Sequence, residues 1–195
     1  MVLTPSTMLP LGTPAPDFSL PDVVTGKPTK LADFASSKAL VVMFICNHCP
    51  YVKHIEDGLT AFDRDYRDKD VAIVAISSND AGAYPDDAPD KLAAAVRRNG
   101  WSLHYLHDPD QSAAKSYTAA CTPDFFLFDS RRTLVYRGQF DASRPKSGIP
   151  VTGADLRAAL DAVLAGAAAS ATQKPSIGCN IKWRPGNEPA YFPQR

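Results

Sequence analysis

The stretch from Ala39 to Tyr66 constrains the architecture of this chain more than any other. Ala39 to Ile45 is continuously apolar and holds β-branched Val41, Val42 and Ile45, as in a strand buried on both faces. From Pro50 onward, Val52, Ile55, Leu59, Phe62 and Tyr66 recur every three or four residues, with Lys53, Glu56, Asp57, Arg64 and Asp65 between them. That spacing predicts an amphipathic helix running directly out of a central strand. Cys46-Asn47-His48-Cys49-Pro50 sits at the junction, so two thiols lie across the first turn of a helix.

Only the thiolate is a nucleophile, and a helix N-terminus carries partial positive charge and unpaired N–H groups that favour an anion. The spacing also brings the second sulfur within reach of the first, so the pair can cycle between dithiol and disulfide. Two cysteines separated by two residues also occur in zinc knuckles, but such sites usually use two pairs, and only the isolated Cys121 and Cys179 remain. Redox pair, metal ligands and inert buried thiols are the three readings, and the strand-to-helix position favours the first.

The remaining pattern is strand and helix in alternation. Val71 to Ser77 reads as a second buried strand and Asp90 to Asn99 as a helix closed by Gly100. His104 to His107 follows as a short strand, Gln111 to Ala119 as a helix and Phe125 to Phe128 as an apolar strand, paired as a hairpin with Thr133 to Gly138. Thr152 and Asp155 resemble a capping box before a last helix with Leu156, Leu160, Val163 and Leu164 inward, ending near Gly166. Strand, helix, strand, helix implies an α/β domain with parallel pairing. Six prolines before Lys38 exclude a long N-terminal helix but permit a hairpin of strands around Phe18 to Leu20 and Thr29 to Leu31. After Ala167, Pro175, Gly178, Pro185, Gly186, Pro189 and Pro193 break the chain too often for regular elements, while Ile177, Ile181, Trp183, Tyr191 and Phe192 suit a tail packed on the body. The reading is one domain over 1–195: an extension (1–38), a core (39–166) and a packed tail (167–195).

Twenty-one basic and 21 acidic residues are interspersed, so no charged field points to nucleic acid or an anionic membrane surface. No run approaches the roughly 18 apolar residues of a membrane span, and Met1 to Pro16 lacks a secretory pattern. Four cysteines are too few for a disulfide scaffold, and their thiols suit a reducing, cytoplasmic setting.

The sequences Cys-Asn-His-Cys-Pro-Tyr-Val at 46–52, Cys-Thr-Pro-Asp-Phe-Phe-Leu-Phe-Asp at 121–129 and Pro-Ser-Ile-Gly-Cys-Asn-Ile-Lys-Trp at 175–183 resemble those of peroxiredoxin-like (AhpC/TSA-like) redoxins of the thioredoxin superfamily, as does Ala-Pro-Asp-Phe at 15–18. The resemblance implies a thioredoxin fold, with a central mixed sheet flanked by helices, an N-terminal β-hairpin and an irregular C-terminal tail. It implies a cis Pro123 facing the C-x-x-C pair, and a Thr122 whose backbone is open to an extended substrate. In that frame Cys46, nearer the solvent-facing mouth, attacks a disulfide and Cys49 resolves it. His48 between them is like the isomerase motif, where an imidazole makes the couple more oxidising than that of thioredoxin, near about −270 mV. The implied activity is thiol–disulfide exchange on a protein or small-molecule disulfide, recycled by an external dithiol, with no cofactor and no metal.

The alternative enzymatic reading is a thiol peroxidase with Cys49 peroxidatic, since Cys49 aligns with that residue in peroxiredoxins. Peroxiredoxins carry Thr three residues before that cysteine and Pro seven before, where this chain has Cys46 and Val42, and their Arg has no evident counterpart near Thr122. Relative to thioredoxin, Ile45 replaces Trp, and Leu40 replaces the buried Asp that moves the proton of the resolving thiol. Glu56 could serve only if its helix turned it inward. Cys121 and Cys179 are candidates for a disulfide relay, and His54, His104 and His107 read as satisfied surface or core histidines.

Overall fold

Every residue of Ala39–Phe44 is buried, and alternation along that strand sends its side chains into two separate cores. In this computed structural model, which describes residues 3–192, the elements in chain order are β1 (Leu3–Pro5), β2 (Ser19–Pro21), β3 (Pro28–Lys30), β4 (Ala39–Phe44), α1 (Pro50–Tyr66), β5 (Val71–Ser77), α2 (Pro89–Asn99), β6 (His104–His107), α3 (Ser112–Ser116), β7 (Cys121–Thr122), β8 (Asp124–Phe128), β9 (Leu134–Gly138), α4 (Ala154–Leu164) and β10 (Ile177–Asn180). Met1, Val2 and residues 193–195, with Pro193, lie outside the described residues.

The main sheet has the order β6-β5-β4-β8-β9. β4 pairs in parallel with β5 and β5 with β6, whereas β8 is antiparallel to both β4 and β9. This is the α/β thioredoxin fold: a mixed sheet flanked by helices, with β2 and β3 forming the N-terminal hairpin. Val41, Met43 and Ile45 face one core with the apolar stripes of α1, α2 and α4, and Cys46, Cys49 and Cys179 belong to it. Leu40, Val42 and Phe44 face the other, filled by the hairpin, α3 and the tail residues Ile181 and Trp183. All five apolar positions expected of α1 are buried, and Gly100 closes α2 at φ 62°, where a side chain would be strained.

Three local expectations are corrected. The helix expected over 111–119 is only Ser112–Ser116, because Gln111 (φ 63°) and Thr118 (φ 49°) adopt left-handed conformations at either side. The Gln111 amide is used elsewhere, donating to the carbonyls of Ser78 and Lys182 at 2.8 and 3.0 Å. No capping box opens α4: Gly153 is its N-cap (φ 69°), and Asp155 accepts a hydrogen bond from Gln139 instead. The tail is not wholly irregular either, since β10 lies between β1 and β7, antiparallel to both. Its pairing joins opposite ends of the chain, a non-local contact that a scan for local breakers does not register. Among the described residues, no helix is long and apolar enough to cross a membrane.

Candidate active site

Beyond β4 the chain pairs once more, with the Ile45 N–H donating to the Ile76 carbonyl at 3.1 Å, and then leaves the sheet as the Cys46–Cys49 loop. Cys49 is the N-cap of α1, with Pro50 at the first helical position, where its missing N–H is not needed. The loop is pinned from outside. The Asn47 N–H donates to Asp87 Oδ1 at 2.7 Å, and its side-chain amide donates to the Asp86 carbonyl at 2.9 Å.

Both sulfurs are enclosed, Cys46 at 2% exposure and Cys49 at 0%, so Cys46 does not stand at a solvent-facing mouth. Cys46 Sγ lies 3.5 Å from Thr122 Oγ1, and Cys49 Sγ lies 3.1 Å from the Thr122 carbonyl oxygen. The two thiols differ in proton affinity. Hydrogen bonds from the Cys179 and then the Cys46 side chain pull Cys49 well below the ordinary thiol range, against the effect of burial. No full cap hydrogen bond closes at Cys49, yet the Val52 N–H adds a smaller pull in the same direction. The Thr122 carbonyl opposes this, because only a protonated sulfur can donate to it. The interaction with Cys49, then burial, then the Asp87 charge raise Cys46 well above the ordinary range. The surroundings thus lower the proton affinity of Cys49 and raise that of Cys46.

The cis Thr122–Pro123 bond expected from the resemblance is present beside the pair. Thr122 is not open to a peptide, however. It is 3% exposed, and Cys179 of β10 sits opposite it in the antiparallel ladder. A Cβ on Gly178 would come within 2.0 Å of the Thr122 carbonyl oxygen, so only glycine permits this approach of the tail.

His48 Nδ1 is 2.6 Å from Asp87 Oδ2, and its ring stacks on Tyr84 with centroids 5.0 Å apart. Asp87 has no exposure, yet its carboxyl stays below the ordinary range: burial pushes it up, and hydrogen bonds from His48 and Asn79 outweigh that. With the Asn47 N–H, three donors converge on it, and the Asn79 amide is fixed in turn by accepting the Lys182 N–H at 2.8 Å. Cys46, His48 and Asp87 offer ligand-type atoms all within 4.8 Å of one another.

Of the residues singled out in sequence, the structure brings together Cys46, His48, Cys49, Thr122, Pro123 and Cys179. Cys121 is adjacent on β7, its sulfur 3.6 Å from the Pro123 carbonyl, and burial followed by the Asp124 charge raises its thiol. Glu56 turns away from the thiols and accepts hydrogen bonds from Arg98 and Asn99 of α2. His104 faces Asp22 at 3.3 Å, whereas the buried Nε2 of His54 has no hydrogen-bond partner among the described residues and so departs from the satisfied histidine expected. Sequence reading missed Asp87 and Asn79. The only signal was the Tyr84-Pro85-Asp86-Asp87-Ala88-Pro89 run itself, which reads as a loop.

The model of the AhpC/TSA family matches residues 11–137. A crystal structure of a conserved protein of Geobacillus kaustophilus superposes with TM-score 0.93 at 51% identity, over 95% of this chain and 98% of that one. A hypothetical protein of Sinorhizobium meliloti 1021 does so with TM-score 0.92 at 54% identity, over 94% and 100%. A Chlorobium tepidum protein named for thiol:disulfide interchange shares the fold at 18% identity, with TM-score 0.62 over 80% and 99%. Comparison with curated proteins gave no match.

Proposed function

Because this chain belongs to the AhpC/TSA family, we propose that its redox pair serves a thiol peroxidase, in which Cys49 attacks a small hydroperoxide and Cys46 then closes a disulfide onto it. The pair on this fold suits catalytic thiol–disulfide chemistry in either enzymatic reading. The observation that carries the peroxide reading is the enclosure of Cys49 beside neighbouring thiols that lower its proton affinity, while β10 occupies the backbone of Thr122. A small oxidant meets fewer obstacles there than a folded disulfide partner. Attack breaks the O–O bond, forms Cys49 sulfenic acid and releases water or an alcohol; Cys46 expels the sulfenic hydroxyl, and an external dithiol returns two electrons to the disulfide. Four free thiols suit a reducing compartment, and we place the protein in the cytoplasm.

The test is peroxide consumption with dithiothreitol as reductant. Cys49→Ser is expected to fall to the uncatalysed rate, and Cys46→Ser, oxidised in the absence of dithiothreitol, to hold a sulfenic acid that dimedone captures at Cys49. Wild-type turnover no faster than that of Cys49→Ser refutes the reading.

A second reading, exchange with a protein disulfide begun by Cys46, draws support from the C-x-x-C spacing and from His48 beside it. It requires β10 to leave Thr122, and a mixed disulfide trapped on Cys46 in Cys49→Ser would favour it. Cys179, in hydrogen-bond contact with Cys49, is then the candidate to relay the disulfide onward, with Cys121 behind it.

A further inference from the structure

Cys46 must give up a proton before it can attack an oxidised Cys49, and its surroundings hold that proton firmly. The groups that would accept it by analogy are missing: Leu40 is apolar and fully buried, and Glu56 is committed to α2. A ring nitrogen of His48 and a carboxylate oxygen of Asp87 lie within 4.8 Å of Cys46 Sγ and of each other.

We propose that His48, held in place by Asp87, is the acid–base partner of Cys46 during closure of the Cys46–Cys49 disulfide. This deepens the peroxidase reading and rests on it for the identity of the oxidant.

The imidazole is held in a fixed orientation. Asp87 fixes the imidazole through a 2.6 Å contact with Nδ1, which assigns the proton of the neutral ring to that nitrogen. Tyr84 fixes the ring plane by stacking at 15°. Asp87 is immobilised by the Asn47 N–H and the Asn79 amide at 2.7 and 2.8 Å. A metal fits the same trio poorly: two ligand atoms on a tetrahedral ion with bonds near 2.0–2.1 Å stand about 3.3 Å apart, and Nδ1 and Oδ2 are at hydrogen-bond separation instead. The titratable and charged groups around the dyad are Cys46 and Cys49 from its own loop, Tyr84, Asp86 and Asp87 across it, the buried Tyr105 hydroxyl of β6, which the Cys46 and Asp87 charges both reach, and Lys182 of the tail, 5.9 Å from the Tyr84 ring centroid.

In the closing step His48 takes the Cys46 proton, and the Cys46 thiolate attacks the sulfur of Cys49 sulfenic acid. The S–S bond forms as the S–O bond breaks, and the departing hydroxide leaves as water with the proton from His48. The balance is one thiol plus one sulfenic acid giving one disulfide and one water, with no further oxidant.

The test follows disulfide closure after one hydroperoxide turnover, by acid quench and mass analysis, between about pH 5 and 9, in wild type, His48→Gln and Asp87→Asn. His48→Gln is expected to slow closure roughly 100-fold at pH 7 and to leave a rate that rises only in alkali. Asp87→Asn is expected to slow it about tenfold, because the imidazole loses the carboxylate that orients it. Where Asp87→Asn does not fold, the His48→Gln profile decides. Closure is also started with diamide, which oxidises dithiols without peroxide. His48-dependent closure with diamide alone would refute the peroxide reading and keep the dyad; profiles in His48→Gln that superimpose on wild type with both oxidants overturn the dyad.

Discussion

Asp87, across the loop from His48, and Asp124, at the head of β8, are equally enclosed, with no exposed surface on either. Their proton affinities move in opposite directions. Burial pushes the Asp124 carboxyl up to about 7, against weaker opposition from the Ser6 hydroxyl and the N–H groups of Ala120 and Phe125. Burial pushes Asp87 in the same direction, but His48, Asn79 and the Asn47 N–H more than reverse it. The difference teaches that depth does not decide ionisation here. What decides is how strongly the chain aims charged or polar donors at the carboxylate, and beside the sulfur pair it aims enough of them to outweigh burial.

The largest effect expected from breaking this comparison is at Asp124. Its folded pKa lies above the ordinary value of 3.8, so the native state retains a proton that the unfolded chain has released, and stability falls as pH rises between those values. The full penalty applies above about pH 7, and the shift corresponds to about 4 kcal/mol. Asp124→Asn removes this titration. Its stability relative to wild type, from urea unfolding, should grow between about pH 4 and 8; a difference flat across that range would mean that Asp124 is ionised in the fold, as Asp87 is.

Asp87 should show the reverse trend at a somewhat smaller size. Asp87→Ala strips a partner from three donors and should destabilise the protein by about 3 kcal/mol at pH 7. A depressed folded pKa stabilises above the unfolded value and is lost as pH falls through the folded one. The gap between wild type and Asp87→Ala should therefore narrow in acid, whereas the gap at Asp124 widens toward alkali. Parallel pH trends at the two sites would break the comparison.

What the sequence disclosed follows the same division between local and distant. β4, α1, β5, α2 and the β8–β9 hairpin were legible because each carries its own periodicity, and the C-x-x-C pair because strand, thiols and helix start are contiguous. Thr122, Pro123 and Cys179 were reachable only through the resemblance and the cysteine inventory, and their arrangement around Cys49 was not. Cys179 arrives on a four-residue strand held between β1 and β7, and nothing in Pro175 to Trp183 encodes either partner. Asp87 was illegible for a related reason: an aspartate in a proline-rich loop looks solvated until the fold lays Asn47, His48 and Asn79 around it.

The smallest effects test whether the rule carries over to sulfur. Cys49 is to Cys121 what Asp87 is to Asp124: the first is surrounded by donors, whereas the second is enclosed beside a carboxyl that lifts its thiol further. Cys179→Ala removes the main donor to Cys49 and should move the pH midpoint of Cys49 alkylation upward while leaving Cys46 able to close the disulfide. Cys121→Ala removes no donor to Cys49. It should change peroxide turnover by less than about twofold and lower stability by about 1 kcal/mol through the small void it leaves. Cys121 should also resist alkylation in the native protein and react only on unfolding, because a buried protonated thiol is a poor nucleophile. Native-state labelling of Cys121, or loss of turnover in Cys121→Ala, would place it in the relay and show that enclosure beside an acid is not enough to silence a thiol at this site.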